Sequence, residues 1–387
     1  MEKPNIKKNK TSILALMVPL VIGGVIGAFC GVYLAELVPD GLSFFENIVI
    51  YLAFIIAIVF TVLFSVILHE AGHLLFGLLS GYKFCSFMIF GIDLIKQDGK
   101  LRIKRYSLPG AGGQCLMCPP EYNDNSFPVM LYNLGGIIAN AVVALVFGAT
   151  VLLFDLGLVP KLILGGAALV NLVFALVNGI PISAVIENDG YNTVMLKNNP
   201  KARKAFWLQL KYHELLAQGL RIKDLPEEML FRPTDEELAS NSLIAFMANF
   251  MCERLVDEHR FEEAYSLSEE FLAKENKIIQ LNRVIMVSDM IFAELILENR
   301  GEVLEGLLTK DQKRIMAQLK AMPCVLRTEY AYALLGQGDV SKAEKIKSKF
   351  DKVQKSYPYK GEIESAKELF AIVDETKAIR DAEFNKN

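Results

Sequence analysis

Four apolar stretches, at about 13–38, 48–79, 128–154 and 160–182, are each long enough to cross a bilayer, and they leave the first half of this chain few possible folds. A helix needs about 20 apolar residues to traverse the roughly 30 Å hydrocarbon layer. Lipid offers no partners for bare backbone amides, so such spans are expected to be helical. From Tyr191 onward the sequence changes character and Lys, Glu, Asp and Arg become frequent. The whole is therefore 52% hydrophobic and yet 22% charged. The expected fold is mainly α: a polytopic helical membrane domain of about four spans with a short β-like insertion, followed by a cytoplasmic α-helical, repeat-like domain. Its expected parts are a tail and extra span over 1–47, a core over 48–192, a linker with amphipathic helices over 193–240, and the helical domain over 241–387.

The run from Ile13 to Val38 is too long for the apolar region of a secretory signal and lacks a small-x-small cleavage site, so it reads as a retained span. Charge sets the orientation. Lys3, Lys7, Lys8 and Lys10 precede the first span, whereas the short loop 39–47 carries Asp40 and Glu46 without Lys or Arg. The 80–127 connection carries Lys83, Lys96, Lys100, Arg102, Lys104 and Arg105, which returns it to the cytoplasm. Both termini are then expected to be cytoplasmic. Within that connection, 84–95 and 100–106 look β-like around Gln97-Asp98-Gly99-Lys100, whose Asp-Gly pair is a hairpin signal. Leu108 to Gly113 reads as a loop.

A net charge of −3 with no basic stripe excludes a nucleic-acid partner. The six cysteines are scattered over both halves and read as reduced thiols. Cys115 and Cys118 form half of a metal or redox motif, but no second pair follows. In the polar half, Leu255 to Phe271 aligns without gaps on Leu334 to Phe350. Glu298 to Glu302 follows Glu258 to Glu262 by 40 residues. This spacing resembles tetratricopeptide-type helical repeats, which implies a concave surface for a cytoplasmic protein partner.

The chemistry concentrates at His69-Glu70-Ala71-Gly72-His73. On a helix the two histidines are four residues apart on one face, so both imidazoles can reach one zinc ion. Glu70 lies beside them, placed to take a proton from a metal-bound water and later return it. Ionisable groups inside an apolar span are costly, so they mark a functional site. A catalytic zinc needs a third protein ligand. His213 and His259 belong to the polar half, and Asp93 and Asp98 to the β-like segment. Asp189 follows the last span at the level of the histidines and is the expected ligand, with Glu187 its nearest alternative. The pairs Gly23-Gly24, Gly135-Gly136 and Gly165-Gly166 suit close helix packing. Asn133 and Asn171 suit hydrogen bonds between spans.

A zinc motif in an early core span, Gly136-Ile-Ile-Ala-Asn140 in the middle one, and Asn178-Gly-Ile-Pro181 followed by Asp189-Gly190 at the last resemble the site-2 protease family of intramembrane zinc metalloproteases. The resemblance covers about 48–192. It implies Zn2+ held by His69, His73 and Asp189, Glu70 as general base, and Asn140 and Asn178 beside the substrate, a membrane-embedded peptide or protein. It also implies a multi-pass protein of a bacterial cell membrane. The family has its Asp about five residues after the Pro, whereas here the gap is eight. Two rival readings are an inactive membrane-anchored interaction protein and a metal or solute transporter. The second is weakened by the lack of an inverted repeat.

Overall fold

The computed structural model describes residues 24, 27, 28, 31, 32, 35, 38 and 41–386, apart from 98, 106–111, 124–126 and 183–186. Most of the expected first span, 13–38, lies outside the described residues. The chain divides into two compact units, one built from 41–84 with 112–198 and the other from 85–111 with 199–387.

In the first unit, three helices among the described residues are long and apolar enough to span a membrane: α1 (Phe44–Leu79), α2 (Met130–Leu153) and α3 (Leu158–Gly179). Helix α1 starts at a reciprocal cap, in which Ser43 accepts from the Glu46 amide and Glu46 accepts from the Ser43 amide. Its 36 residues extend about 54 Å, well beyond the hydrocarbon thickness. The buried positions of α1 are Ser65, His69, Glu70, Gly72, His73 and Gly77, all on one face of its second half. No residue of the first half is buried, and most are exposed, as suits a helix that faces lipid.

Glycine permits the central crossing. A Cβ on Gly72 would lie 2.3 Å from the Gly135 carbonyl oxygen, and one on Gly135 would lie 2.5 Å from that of Gly72. The two backbones therefore touch, as small residues allow between membrane helices. Gly166 likewise approaches Ile58, whereas Gly24 faces open space. Asn140 binds the Ser65 carbonyl of α1 (3.2 Å) and the Asn171 side chain of α3 (2.8 Å), joining all three helices. Asn133 instead returns its amide to Val129, one turn earlier in the chain. Strand β4 (Gly113–Cys118), where only a loop was expected up to Gly113, and the short helix α4 (Asp189–Leu196) complete this unit.

In the second unit, the 84–95 stretch is two strands rather than one. Strand β1 (Lys83–Ile89) turns at Phe90 (φ 48°) and Gly91 (φ 82°) into β2 (Ile92–Gln97), with Ile89 opposite Ile92. A phenylalanine in the left-handed region is unusual, which is why this turn carried no sequence signal. Gln97 then pairs with Lys100 across Gly99 (φ 74°) and β3 (Lys100–Arg105) follows, the hairpin that the Asp-Gly pair indicated. Gln97 donates to the Pro358 carbonyl and Lys104 to that of Lys355 (3.2 Å), so the hairpin is fastened to the helical tail.

That tail comprises α5 (Pro200–Ala217), α6 (Asp235–Ser240), α7 (Ser242–Asp257), α8 (Phe261–Ala273), α9 (Gln280–Leu297), α10 (Gly301–Leu307), α11 (Lys310–Gln318), α12 (Pro323–Ala331), α13 (Val340–Ser356) and α14 (Lys360–Phe384). Helix α9 is buried without interruption from Asn282 to Leu295 and forms the core, with Phe250, Phe271 and Phe292 among the largest enclosed side chains. From α7 onward, the joints at His259 (φ 61°), Asn299 (φ 56°) and Gly338 (φ 65°) each turn on a left-handed residue. Their spacing matches the alignment of the repeated segments. The middle joint leads into a helix of only seven residues, so the helix pairs are unequal.

Candidate metal centre

Two ligands come from α1 and one from the start of α4. His69 Nε2 lies 3.0 Å from Asp189 Oδ2, His73 Nε2 lies 3.3 Å from the same oxygen, and the two nitrogens are 3.2 Å apart. Two donor atoms about 2.05 Å from a tetrahedral zinc are about 3.3 Å from each other. The triangle therefore has the size that one zinc ion requires. Among the described residues these three alone form a group able to hold a metal.

The outer ring nitrogens decide what faces the centre. His73 Nδ1 donates to the Tyr132 carbonyl at 2.8 Å, an acceptor only, so the proton sits on Nδ1. His69 Nδ1 is 2.8 Å from Asn140 Oδ1. The orientation of that amide is fixed, because Asn140 Nδ2 donates to Ser65 and Asn171. His69 therefore also carries its proton on Nδ1. In the neutral rings both Nε2 lone pairs point at Asp189 Oδ2, an arrangement of three electron-rich atoms that only a cation or an added proton reconciles. Burial disfavours the Asp189 carboxylate, yet the two imidazoles outweigh that and hold its carboxyl well below the usual carboxylate range.

Asp189 reaches the histidines through Asn188. This residue caps α4 by accepting from the Tyr191 amide (2.9 Å), and it accepts from the Ile182 amide as well (3.1 Å). Its own amide donates to the Val177 carbonyl (2.7 Å) and to that of Ile180 (2.6 Å), so it clips the end of α3 to the start of α4. The Asn188 amide also lies 3.4 Å from the Ile182 carbonyl. The longer interval from Pro181 to Asp189 is thereby closed at its base. Gly190 is required, since a Cβ there would lie 2.2 Å from the Gly179 carbonyl oxygen. Asn188 was not singled out from the sequence, although an Asn just before Asp-Gly is a helix-start signal.

Glu70 is buried on α1 beside the same cluster and accepts from the Cys115 amide of β4. A Cβ on Gly113 would fall 2.6 Å from Glu70 Cγ and 2.9 Å from Oε1, so the bare glycine makes room for the carboxylate. Tyr132 completes a circuit: its carbonyl holds His73, and its hydroxyl donates to the Cys115 carbonyl at 2.7 Å. Gly136 plays the same part for His69, whose ring would meet a Cβ at 2.5 Å. Burial pushes the Cys115 thiol far up, so it is protonated at neutral pH and unsuited to redox or metal chemistry.

The remaining candidates lie elsewhere. Asn140 is fully enclosed behind His69. Asn178 is part-exposed and returns its amide to the Phe174 carbonyl of its own helix (3.0 Å). Asp93 lies in β2, His213 in α5 and His259 at the first joint, all in the other unit; Asp98 is outside the described residues. No curated protein and no solved structure matches the chain. The family model described as Peptidase family M50 matches residues 54–296, a stretch that contains all three converging side chains, and the chain belongs to that family.

Proposed function

We propose that this protein is an intramembrane zinc metalloendopeptidase that hydrolyses a transmembrane or signal-peptide-like segment near the cytoplasmic face. The observation that carries the reading is the convergence of two imidazole nitrogens and one carboxylate oxygen at zinc-like separations. His69, His73 and Asp189 would hold the ion. Bound there, zinc supplies Lewis acidity, acidifying a water and offsetting the charge that develops on the peptide oxygen. Asn140 and the Tyr132 carbonyl keep the imidazoles turned inward. Glu70 accepts the proton of the attacking water and passes it to the departing amide nitrogen. The Cys115 amide steadies Glu70 in the position from which both transfers are possible.

Asn178, part-exposed at the end of the last span, is the polar group we assign to the substrate backbone, whose amides are left bare once a helix unwinds in lipid. The basic hairpin around β3 supports a cytoplasmic placement of that end of the spans. The helical tail, with its three similar joints, is assigned to a protein partner or to control of access.

The deciding experiment uses Glu70→Gln in full-length protein. Purified in micelles, it should retain one zinc per chain and lose cleavage of membrane peptides by at least about a hundredfold. If small membrane peptides accumulate equally in cells carrying either form, the chain is a membrane-anchored adaptor and the hydrolase reading fails.

A further inference from the structure

The helical unit holds a buried cation that the protease chemistry does not use and that has no counter-charge. Arg283, the fourth residue of α9, is only 6% exposed. Arginine is seldom buried without an acid beside it. Arg327 of α12 is as deeply enclosed and follows that rule by binding Asp289. Arg283 does not. Among the described residues no Asp or Glu forms an ion pair with it, and Nη1 makes only a long bond to Asn276 Oδ1, at 3.5 Å. The other terminal nitrogen, Nη2, is enclosed and has no acceptor. Burial holds the guanidinium below its ordinary pKa, and no carboxylate offsets that.

A second observation comes from the backbone. The residue before the helix is Ile279, which has no side-chain acceptor, and the first bond of α9 runs from the Arg283 amide to the Ile279 carbonyl (3.0 Å). The amides of Gln280, Leu281 and Asn282 are therefore left over at the helix end, where the dipole of 18 residues adds positive potential. The guanidinium is aimed at this end. Helical side chains slant toward the N-terminus, and the contact with Asn276 puts Nη1 beside the segment that leads into α9. Asn276 Oδ1 cannot serve it fully, because it also accepts from the Ile278 amide (3.3 Å). Ile279, Gln280 and Leu281 are part-exposed, so the helix end meets solvent, and Glu275 and Lys277 flank the approach with opposite charges. Surplus donors around a buried positive charge suit an anion with several acceptor oxygens.

We propose that the N-terminus of α9 binds a phosphate group, either free phosphate or the monoester of a small molecule. One phosphate oxygen accepts from Arg283 Nη2, and others accept from the Gln280 and Leu281 amides. Phosphate offers at least three oxygens to these donors, whereas a carboxylate offers two. Binding supplies the negative charge that Arg283 lacks and stabilises the core helix of the unit.

The test uses the full chain in non-ionic detergent micelles, with unfolding temperature and calorimetric affinity as readouts at constant ionic strength. The probes are inorganic phosphate, glycerol 3-phosphate, sodium acetate and sodium chloride. Either phosphate should raise the unfolding temperature, and acetate and chloride should not. Tighter binding of inorganic phosphate identifies the free ion as the ligand, and tighter binding of glycerol 3-phosphate identifies an ester. Arg283→Met keeps the length, removes the charge and should weaken the effective probe about tenfold or more. Gln280→Pro serves should Arg283→Met not fold. Ile279 is already extended (ψ 152°) and Pro suits a first helical position, so this change removes one amide donor and spares the helix. It should weaken binding about fivefold or more. The proposal is overturned if neither phosphate binds, if acetate stabilises as well as they do, or if a folded variant binds as the parent does.

Discussion

Asn140 gives the sharpest test of how the metal centre is built. Replacing it by Leu keeps the branched outline in a bulkier side chain and removes both hydrogen-bonding arms from a fully enclosed position. His69 then loses the acceptor that fixes its tautomer, and the Asn171 oxygen loses its donor. Removing the partner of a metal-bound histidine typically weakens metal affinity 10- to 100-fold, or about 1.4–2.7 kcal/mol. Zinc affinity measured by competition with a chromophoric chelator should fall by that factor, and kcat should fall with zinc occupancy. Each buried group left unpaired costs a further 1–3 kcal/mol or so of fold stability, so circular dichroism must confirm a folded variant. Asn171→Leu is the control, since it spares the bond to His69 and should change zinc affinity by less than about threefold. The reasoning is refuted if Asn140→Leu holds zinc as tightly as the parent while KM rises. In that case the side chain meets the substrate.

Other outcomes follow from the same geometry. Gly113→Ala should push the Glu70 carboxylate aside and cut cleavage at least about tenfold while zinc content stays at one per chain; loss of zinc would contradict this. Asn188→Ala removes the α4 cap and the clip to α3, costing about 1 kcal/mol through the cap alone, and should lower zinc content measured by atomic absorption. Burial lowers His213 to about 4, whereas the unfolded histidine titrates near 6.5. Its native neutral form therefore contributes stability above about pH 6.5 that is lost as pH falls toward 4, up to about 3 kcal/mol. His213→Gln should flatten the unfolding temperature of the helical unit over that window, and an unchanged pH profile would refute the assignment.

Hydrophobic length and the His-Glu-x-x-His spacing made α1, α2, α3 and the two histidines legible, because lipid and metal geometry each admit one solution. The Asp-Gly turn before Lys100 and the joints at His259 and Gly338 were legible for a local reason: a left-handed residue between two periodic segments. The turn at Phe90 was not, since an aromatic there contradicts propensity and is imposed by the strands it joins. Strand β4 was hidden in a glycine-rich stretch whose value lies in the space it leaves for Glu70. Partner choice was equally invisible. Nothing in one dimension says whether Asn140 faces a peptide or His69, or that residues 85–111 belong with the helical tail.

Because Ile182 and Asn188 are hydrogen-bonded to each other, that clasp, and not a count of residues from Pro181, sets where Asp189 lands. A search that demands a fixed Pro-to-Asp count would reject this chain, whereas one that asks for an asparagine clasp directly before Asp-Gly would keep it.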